Sequence, residues 1–200
     1  MNDVVLAMYS DRLFMAAVGV YVLAMALHAA EYAALRSAQP TAAPAVAVAV
    51  GATTAAPAVP DERPVRTDLS DESAARPRTR ADRLGGAAVN LVVLAALLQF
   101  GSIVTRGLAA DRWPLGNMYE FTSAVCLAAV VTWLVVLRRL PALRAVALFV
   151  LLPVVILLFL GGTVLYARAA PVVPALRSYW LVVHVTTITV SSGLLLVPGV

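Results

Sequence analysis

His184 is one of only two histidines in the 200-residue chain. It follows the run Leu-Arg-Ser-Tyr-Trp-Leu-Val-Val at 176–183 and lies four residues inside an apolar stretch that opens at Trp180. On a helix that depth is about 6 Å. An ionisable ring so placed is a functional-site candidate when the stretch crosses a membrane. It could hydrogen-bond a neighbouring helix, shuttle protons, or ligate a metal such as haem iron. A proton relay needs further ionisable groups, and the apolar stretches offer only Glu31, Glu120 and His28, all near their ends. A metal held by protein groups alone needs ligands at suitable spacing, and the sequence has none. Axial ligation of haem needs one residue from each side of the iron, so a lone histidine is compatible with it. Residue type and position leave all three uses open. Trp180 lies one turn before His184, and Thr187 and Ser191 continue the same face.

A second group of residues lies in Asp111–Phe121, which reads DRWPLGNMYEF. Pro-Leu-Gly is turn chemistry. Asn117 followed three residues later by Glu120 fits a helix start, with Asn as cap and Glu reaching back to the free amide end. Trp113 and Tyr119 suit a membrane interface. The stretch therefore reads either as a well-made helix entry or as an external aromatic platform with a buried acid. His28 lies three residues before Glu31, close enough on a helix for the pair to interact. Cys126 is the only cysteine, which excludes an internal disulfide and a CxxC redox motif, and it reads as a small apolar core residue.

The elements that must position these residues are membrane helices. The chain is 62% hydrophobic and 13% charged, too apolar for a soluble domain of this size. Five apolar segments, Leu13–Leu35, Leu84–Thr105, Met118–Leu137, Ala145–Tyr166 and Trp180–Val197, reach or approach the length needed to cross a bilayer. The expected fold is an all-α integral membrane protein with about five transmembrane helices. Residues 1–35 form an external N-terminus and first helix, 36–83 a disordered linker, and 84–200 a four-helix membrane part. The first apolar stretch is too long for a signal core, lacks a basic flank, and reads as a retained span.

All 15 basic residues are arginine and sit mostly between the apolar segments, so topology accounts for the net charge of +4 and no nucleic-acid partner is expected. Ten of them (Arg36, Arg63, Arg66, Arg76, Arg78, Arg80, Arg83, Arg138, Arg139 and Arg144) fall on one side, against five (Arg12, Arg106, Arg112, Arg168 and Arg177) on the other. The positive-inside rule then places the N-terminus outside and the 36–83 linker in the cytoplasm. His184, Trp180 and Trp113 fall at the outer face, and His28 at the inner one. The linker has an Ala/Pro/Val-rich part and a mixed-charge part, neither able to bury enough surface to order itself. Pro153 predicts a kink in the fourth helix, and Gly161-Gly162 a close helix approach.

The segments WPLGNMYEF (113–121) and PALRSYWLVVHVTTITVSSG (174–193) resemble the CcsA/CcsB/ResC family of system II cytochrome c biogenesis. The long charged linker and lysine-free composition are similar to actinobacterial, CcsB-like members. The resemblance covers the N-terminal part of a family member. It implies a multi-pass protein of the cytoplasmic membrane that transports or presents haem b at the outer face for covalent attachment to apocytochrome c. It also implies a ResB-type membrane partner and, at most, a subunit role in a holocytochrome c synthase (haem lyase) complex. On this resemblance His184 is a haem axial ligand, and Trp180, Trp113, Asn117, Tyr119 and Glu120 belong to the haem-side architecture. The family's tryptophan-rich loop is not matched, and the chain is expected to be truncated before it. The alternative is a structural or transporter-like polytopic protein, or an inactive fragment, in which His184 is a packing hydrogen bond.

Overall fold

A computed structural model describes residues 2–37, 71–168 and 178–199, and all its regular elements are helices. They are α1 (Asn2–Ser37), α2 (Asp71–Ala110), α3 (Met118–Arg139), a 3-10 turn (Pro141–Val146), α4 (Ala147–Thr163) and α5 (Tyr179–Leu196). Four of them, α1, α2, α3 and α5, are long and apolar enough to cross a membrane. The fifth, α4, has 17 residues, shorter than the expected Ala145–Tyr166. At 1.5 Å per residue it measures about 25 Å, and the 3-10 turn leads into it.

The helices outrun the apolar segments. α1 begins at Asn2 and not near Leu13, and the backbone of α2 is helical from Asp71. A span already formed propagates outward at the cost of fixing one residue per added bond, so its flanks join it. The linker expected over 36–83 is thereby shortened at both ends. Its remainder, 38–70, lies outside the described residues. Arg12, expected in the external N-terminus, and Arg106, expected in a loop between spans, both lie within helices.

The bundle is built on an antiparallel α1–α2 pair. The buried positions of α1 are Ser10, Phe14, Ala17, Tyr21, Ala24, His28 and Glu31. Those of α2 include Gly85, Ala88, Val92, Ala95, Gln99, Ser102 and Arg106. Both series alternate steps of three and four, the seam of a left-handed helix pair. Half of these seam residues are Gly, Ala or Ser, which lets the backbones approach closely. Gly85 lies directly against the Glu31 carboxylate. Polar contacts fix the register where hydrophobic burial has no pull. Ser10 Oγ donates to the Ser102 carbonyl at 2.9 Å, and Ser102 Oγ to that of Ser10 at 2.8 Å. Tyr21 donates to Gln99 Oε1 at 2.8 Å, and Gln99 Nε2 to the Ser123 carbonyl at 2.9 Å, tying in α3.

Gln99→Leu leaves the Tyr21 hydroxyl unpaired and removes the side-chain bond that ties α2 to Ser123 of α3, and is expected to cost about 1–2 kcal/mol. Tyr21→Phe, which keeps the tie to Ser123, should cost less. Thermal unfolding in detergent checks the order of the two.

α3 packs against α2, α4 and α5. Cys126 is fully buried in the core and contacts the Val154 carbonyl, as its apolar reading requires. Pro153 lies within α4. A Cβ at Gly162 would stand 2.9 Å from Phe14 Cε1, so this glycine admits α1 against α4.

Candidate functional site

α2 ends in a closed turn that sets up the site. Asp111 takes a left-handed φ of 48°, which a short polar side chain tolerates. Its amide bonds the Leu108 carbonyl at 3.4 Å, and the Arg112 amide bonds that of Gly107 at 3.2 Å. This is the Schellman pattern of helix closure. The chain then runs through Pro114 and Gly116 to Asn117, whose extended backbone caps α3. Asn117 Oδ1 accepts from the Glu120 amide at 2.8 Å. Glu120 reaches back to the Gly116 amide at 2.8 Å and accepts from Asn117 Nδ2 at 3.2 Å. The helix entry expected from the Asn117–Glu120 spacing is therefore present.

Glu120 also does more than cap. It is 2% exposed and takes two arginines. Arg106 Nε donates to Oε1 at 3.1 Å, and Arg112 donates to both oxygens, at 2.8 and 3.0 Å. Arg106 is itself 2% exposed. It continues to Asp11 Oδ1 at 3.2 Å and to the Ala167 carbonyl, and it stacks 4.6 Å from the Tyr119 ring centre. Tyr119 is buried between Phe14, at 5.0 Å, and Tyr166, at 5.6 Å. Beyond the end of α4, Tyr166 donates to Asp11 at 2.7 Å. That bond to a carboxylate, with partial burial, pushes the phenol pKa above its ordinary value. α1, α2, α3 and the segment after α4 are thus locked at one end by an Asp11–Arg106–Glu120–Arg112 chain.

The opposite end carries a second cluster. Arg144 donates to Glu31 at 2.6 Å and to Asp82 at 2.9 Å. His28 Nδ1 lies 3.3 Å from Glu31, as the i,i+3 spacing implied, and its ring meets Trp133 edge-on at 6.0 Å. His28 Nε2 is buried without a hydrogen-bond partner among the described residues.

The sequence-predicted site residues fall into two groups. Asn117, Tyr119 and Glu120 are together in the network at the start of α3. Trp113, in the preceding loop, is 55% exposed. Trp180 and His184 are on α5, with Trp180 78% exposed and His184 exposed as well. The α5 residues buried against the bundle are Thr189 and Gly193. Gly193 comes nine residues after His184, about half a turn round the helix. The Trp180–His184–Thr187–Ser191 stripe therefore points away from α3 and from the Glu120 network. Pro174–Arg177 lie outside the described residues.

The polar stripe of α5 is also less demanding than its composition suggests. Thr186, Thr187 and Thr189 each donate to the carbonyl four residues back, at 2.7, 2.8 and 2.7 Å. Such hydroxyls are satisfied within their own helix and need no second one. An imidazole cannot do this, and His184 has no hydrogen bond or ion pair among the described residues. One turn along, Ile188 and the neighbouring Val185 line an apolar groove of 420 Å³ with Leu115, Met118 and Phe121 of the α3 entry. No group of three or more His, Cys, Asp or Glu capable of holding a metal ion occurs among the described residues.

Arg106, Asp11 and Tyr166 were not identified from sequence. For Arg106 the signal is the three-and-four stripe of α1 and α2, which carries Ser10, Tyr21, His28, Glu31, Gln99, Ser102 and Arg106 on one seam, whereas Asp11 and Tyr166 lie off it.

No family model matches the chain, and no solved structure matches it. Several curated proteins do. It is 37% identical over 109 residues to the cytochrome c biogenesis protein CcsA of Parasynechococcus marenigrum (strain WH8102), a stretch that covers 54% of this chain and 36% of the relative. It is 36% identical over 109 residues to CcsA of Synechococcus sp. (strain CC9902), with the same coverage. It is 30% identical over 122 residues to CcsA of Synechococcus sp. (strain CC9311), covering 60% of this chain and 40% of that one. The aligned stretch spans little more than a third of the length of these relatives. The resemblance to the CcsA/CcsB type is thus matched by named cytochrome c biogenesis proteins over about half of the chain.

Proposed function

We propose that this chain, similar over half its length to CcsA proteins, acts in cytochrome c biogenesis by presenting haem b at the outer face of the cytoplasmic membrane, with His184 as one axial ligand. The observation that carries the reading is the state of His184. It is an exposed imidazole on an apolar helix with no partner among the described residues. That state leaves the ring available to ligate, and none of the described residues supplies the hydrogen bond that the structural alternative requires. The residues present fit one side of a haem: one histidine nitrogen, with the apolar Val185 and Ile188 beside it. His28 lies in the cluster at the other end of the bundle and supplies no second ligand from this side.

In this reading bound haem supplies the reactive vinyl groups that take up the apocytochrome thiols. The residues of the chain bind and orient. His184 donates an imidazole nitrogen to the iron, while Trp180, one turn nearer the helix start, offers a flat apolar face at the mouth. The ion network does not touch the haem in this account. Glu120, Arg106 and Arg112 fix the start of α3, and α3 holds α5 in place. Tyr119, Asn117 and Trp113 act through that same frame. The N-terminus is placed outside and the 36–83 segment in the cytoplasm, with a ResB-type membrane protein and apocytochrome c as partners.

His184→Ala, in a protein purified with its partner, is expected to lose most of the haem absorbance that the unaltered protein retains. Added imidazole should restore part of it by taking the vacated position. Unchanged haem content and an unchanged spectrum would remove His184 from the site. His184→Gln, which preserves a hydrogen bond but ligates iron poorly, separates the two readings, since full cytochrome c assembly with this variant would favour packing.

A further inference from the structure

A groove of 730 Å³ runs along α1 at the end of the bundle that holds Arg106, distinct from the groove beside α5. Its α1 side is formed by residues that recur one turn apart, among them Asp3, Met8, Arg12 and Met15, and Arg168 faces them beyond α4. Asp11 and Arg106 also line it, but they are bonded to each other at 3.2 Å and largely cancel. Arg12 and Arg168 are different. Both are exposed, and neither has a hydrogen bond or ion pair among the described residues. Arg12 stands immediately before the apolar run Leu13–Leu35, at the boundary between headgroup and hydrocarbon. Met8 is 44% and Met15 72% exposed, so the groove opens sideways from the bundle, toward the bilayer.

We propose that this groove binds a glycerophospholipid, its phosphodiester held by Arg12 and Arg168 and one acyl chain lying along Met15. Two free guanidinium groups suit a phosphodiester, which they can each bond through paired N–H groups. Asp3 adds an acceptor for headgroup hydroxyls and disfavours a second negative charge. Methionine is unbranched and adaptable, and so packs well on a mobile chain. A small soluble anion would account for the arginines but not for the exposed methionine beneath them. The proposal does not depend on the haem reading, since it uses neither α5 nor His184.

The test is native mass spectrometry of the delipidated full chain in detergent, titrated with dioleoylphosphatidylglycerol. Dioleoylglycerol, which lacks the phosphate, inorganic phosphate and haem serve as competitors. Arg12→Gln and Arg168→Gln are each expected to weaken phosphatidylglycerol binding about fivefold, the worth of one basic residue at a lipid surface. Arg138→Gln, at the other end of the bundle, is expected to leave it unchanged. Dioleoylglycerol should not compete. Arg168 lies beyond the last turn of α4, so its replacement leaves helix packing intact even if Arg12→Gln disturbs folding. Equal binding by Arg168→Gln and the unaltered protein would overturn the proposal. So would displacement of the lipid by equimolar inorganic phosphate, which would mark a soluble-anion site, or by haem, which would mark a cofactor site.

Discussion

Replacing Glu120 with alanine is expected to destabilise the bundle by about 3–5 kcal/mol, the cost of stranding a buried charge. The carboxylate accepts from Arg106, Arg112, Asn117 and the Gly116 amide, so its removal leaves Asp11 as the remaining carboxylate on Arg106 and takes from Arg112 and the Gly116 amide the acceptor they share. Arg106 is only 2% exposed and packs against the Tyr119 and Tyr166 rings at the floor of the groove along α1, so water replaces little of the lost charge. Glu120→Gln keeps an acceptor and should fall between. Asp11→Asn should cost about 1 kcal/mol or less, because an ion pair with an exposed partner is worth little, and the Asp11 side chain is 40% exposed. Thermal unfolding of the three variants in one detergent gives the order. Equal losses for Glu120→Ala and Asp11→Asn would show that Arg106 is solvated.

Hydropathy made the helices legible because it integrates over many residues and tolerates local error. It did not find their ends. The flanks Asn2–Arg12 and Asp71–Arg83 are helical because they extend a formed span, a reason that lies partly outside their own composition. Within the site, the Asn117–Glu120 cap was readable, since both partners sit within one turn. The rest of the Glu120 network was not. Arg106 joins Asp11 across 95 positions and Glu120 across 14, and nothing local announces either. A charge near the end of an apolar run reads as the start of a loop until partners for it are seen on neighbouring helices. The orientation of α5 was hidden for a similar reason. Hydroxyls in a membrane helix ordinarily turn toward protein, but those of Thr186, Thr187 and Thr189 are satisfied by their own helix, and the small Gly193 marks the packed side.

Gly193→Ala is expected to loosen α5 from α3. A Cβ there would overlap Ala128 Cβ and stand 2.8 Å from the Ala129 nitrogen and 2.9 Å from the Val125 oxygen. Backbone atoms cannot swing aside as a side chain can, so the helices must separate. Overpacking of this kind costs about 1–3 kcal/mol. Gly19 provides the control, because a Cβ there meets nothing within 4 Å, and Gly19→Ala should be neutral or slightly stabilising. Hydrogen exchange resolved by segment should show faster exchange throughout Tyr179–Leu196 in Gly193→Ala and no change in α1. If His184 ligates haem, the same variant should also lower haem retention, although Gly193 lies on the other side of the helix. Undisturbed exchange in α5 would mean that the crossing is wider than described.

The distribution of polar contacts sets which parts can move. α1 and α2 are pinned at three heights, by Arg106 with Asp11, by Gln99 with Tyr21, and by Arg144 bridging Glu31 and Asp82. A slide of one helical turn, about 5.4 Å, would break all three at once, so these helices behave as a fixed post. α5 has no such pins among the described residues and packs chiefly on α3. Small rotations about the Gly193 crossing cost it little. The helix that carries His184 is therefore the compliant arm of the assembly, able to adjust its approach to a planar ligand or a second protein while the post stays still.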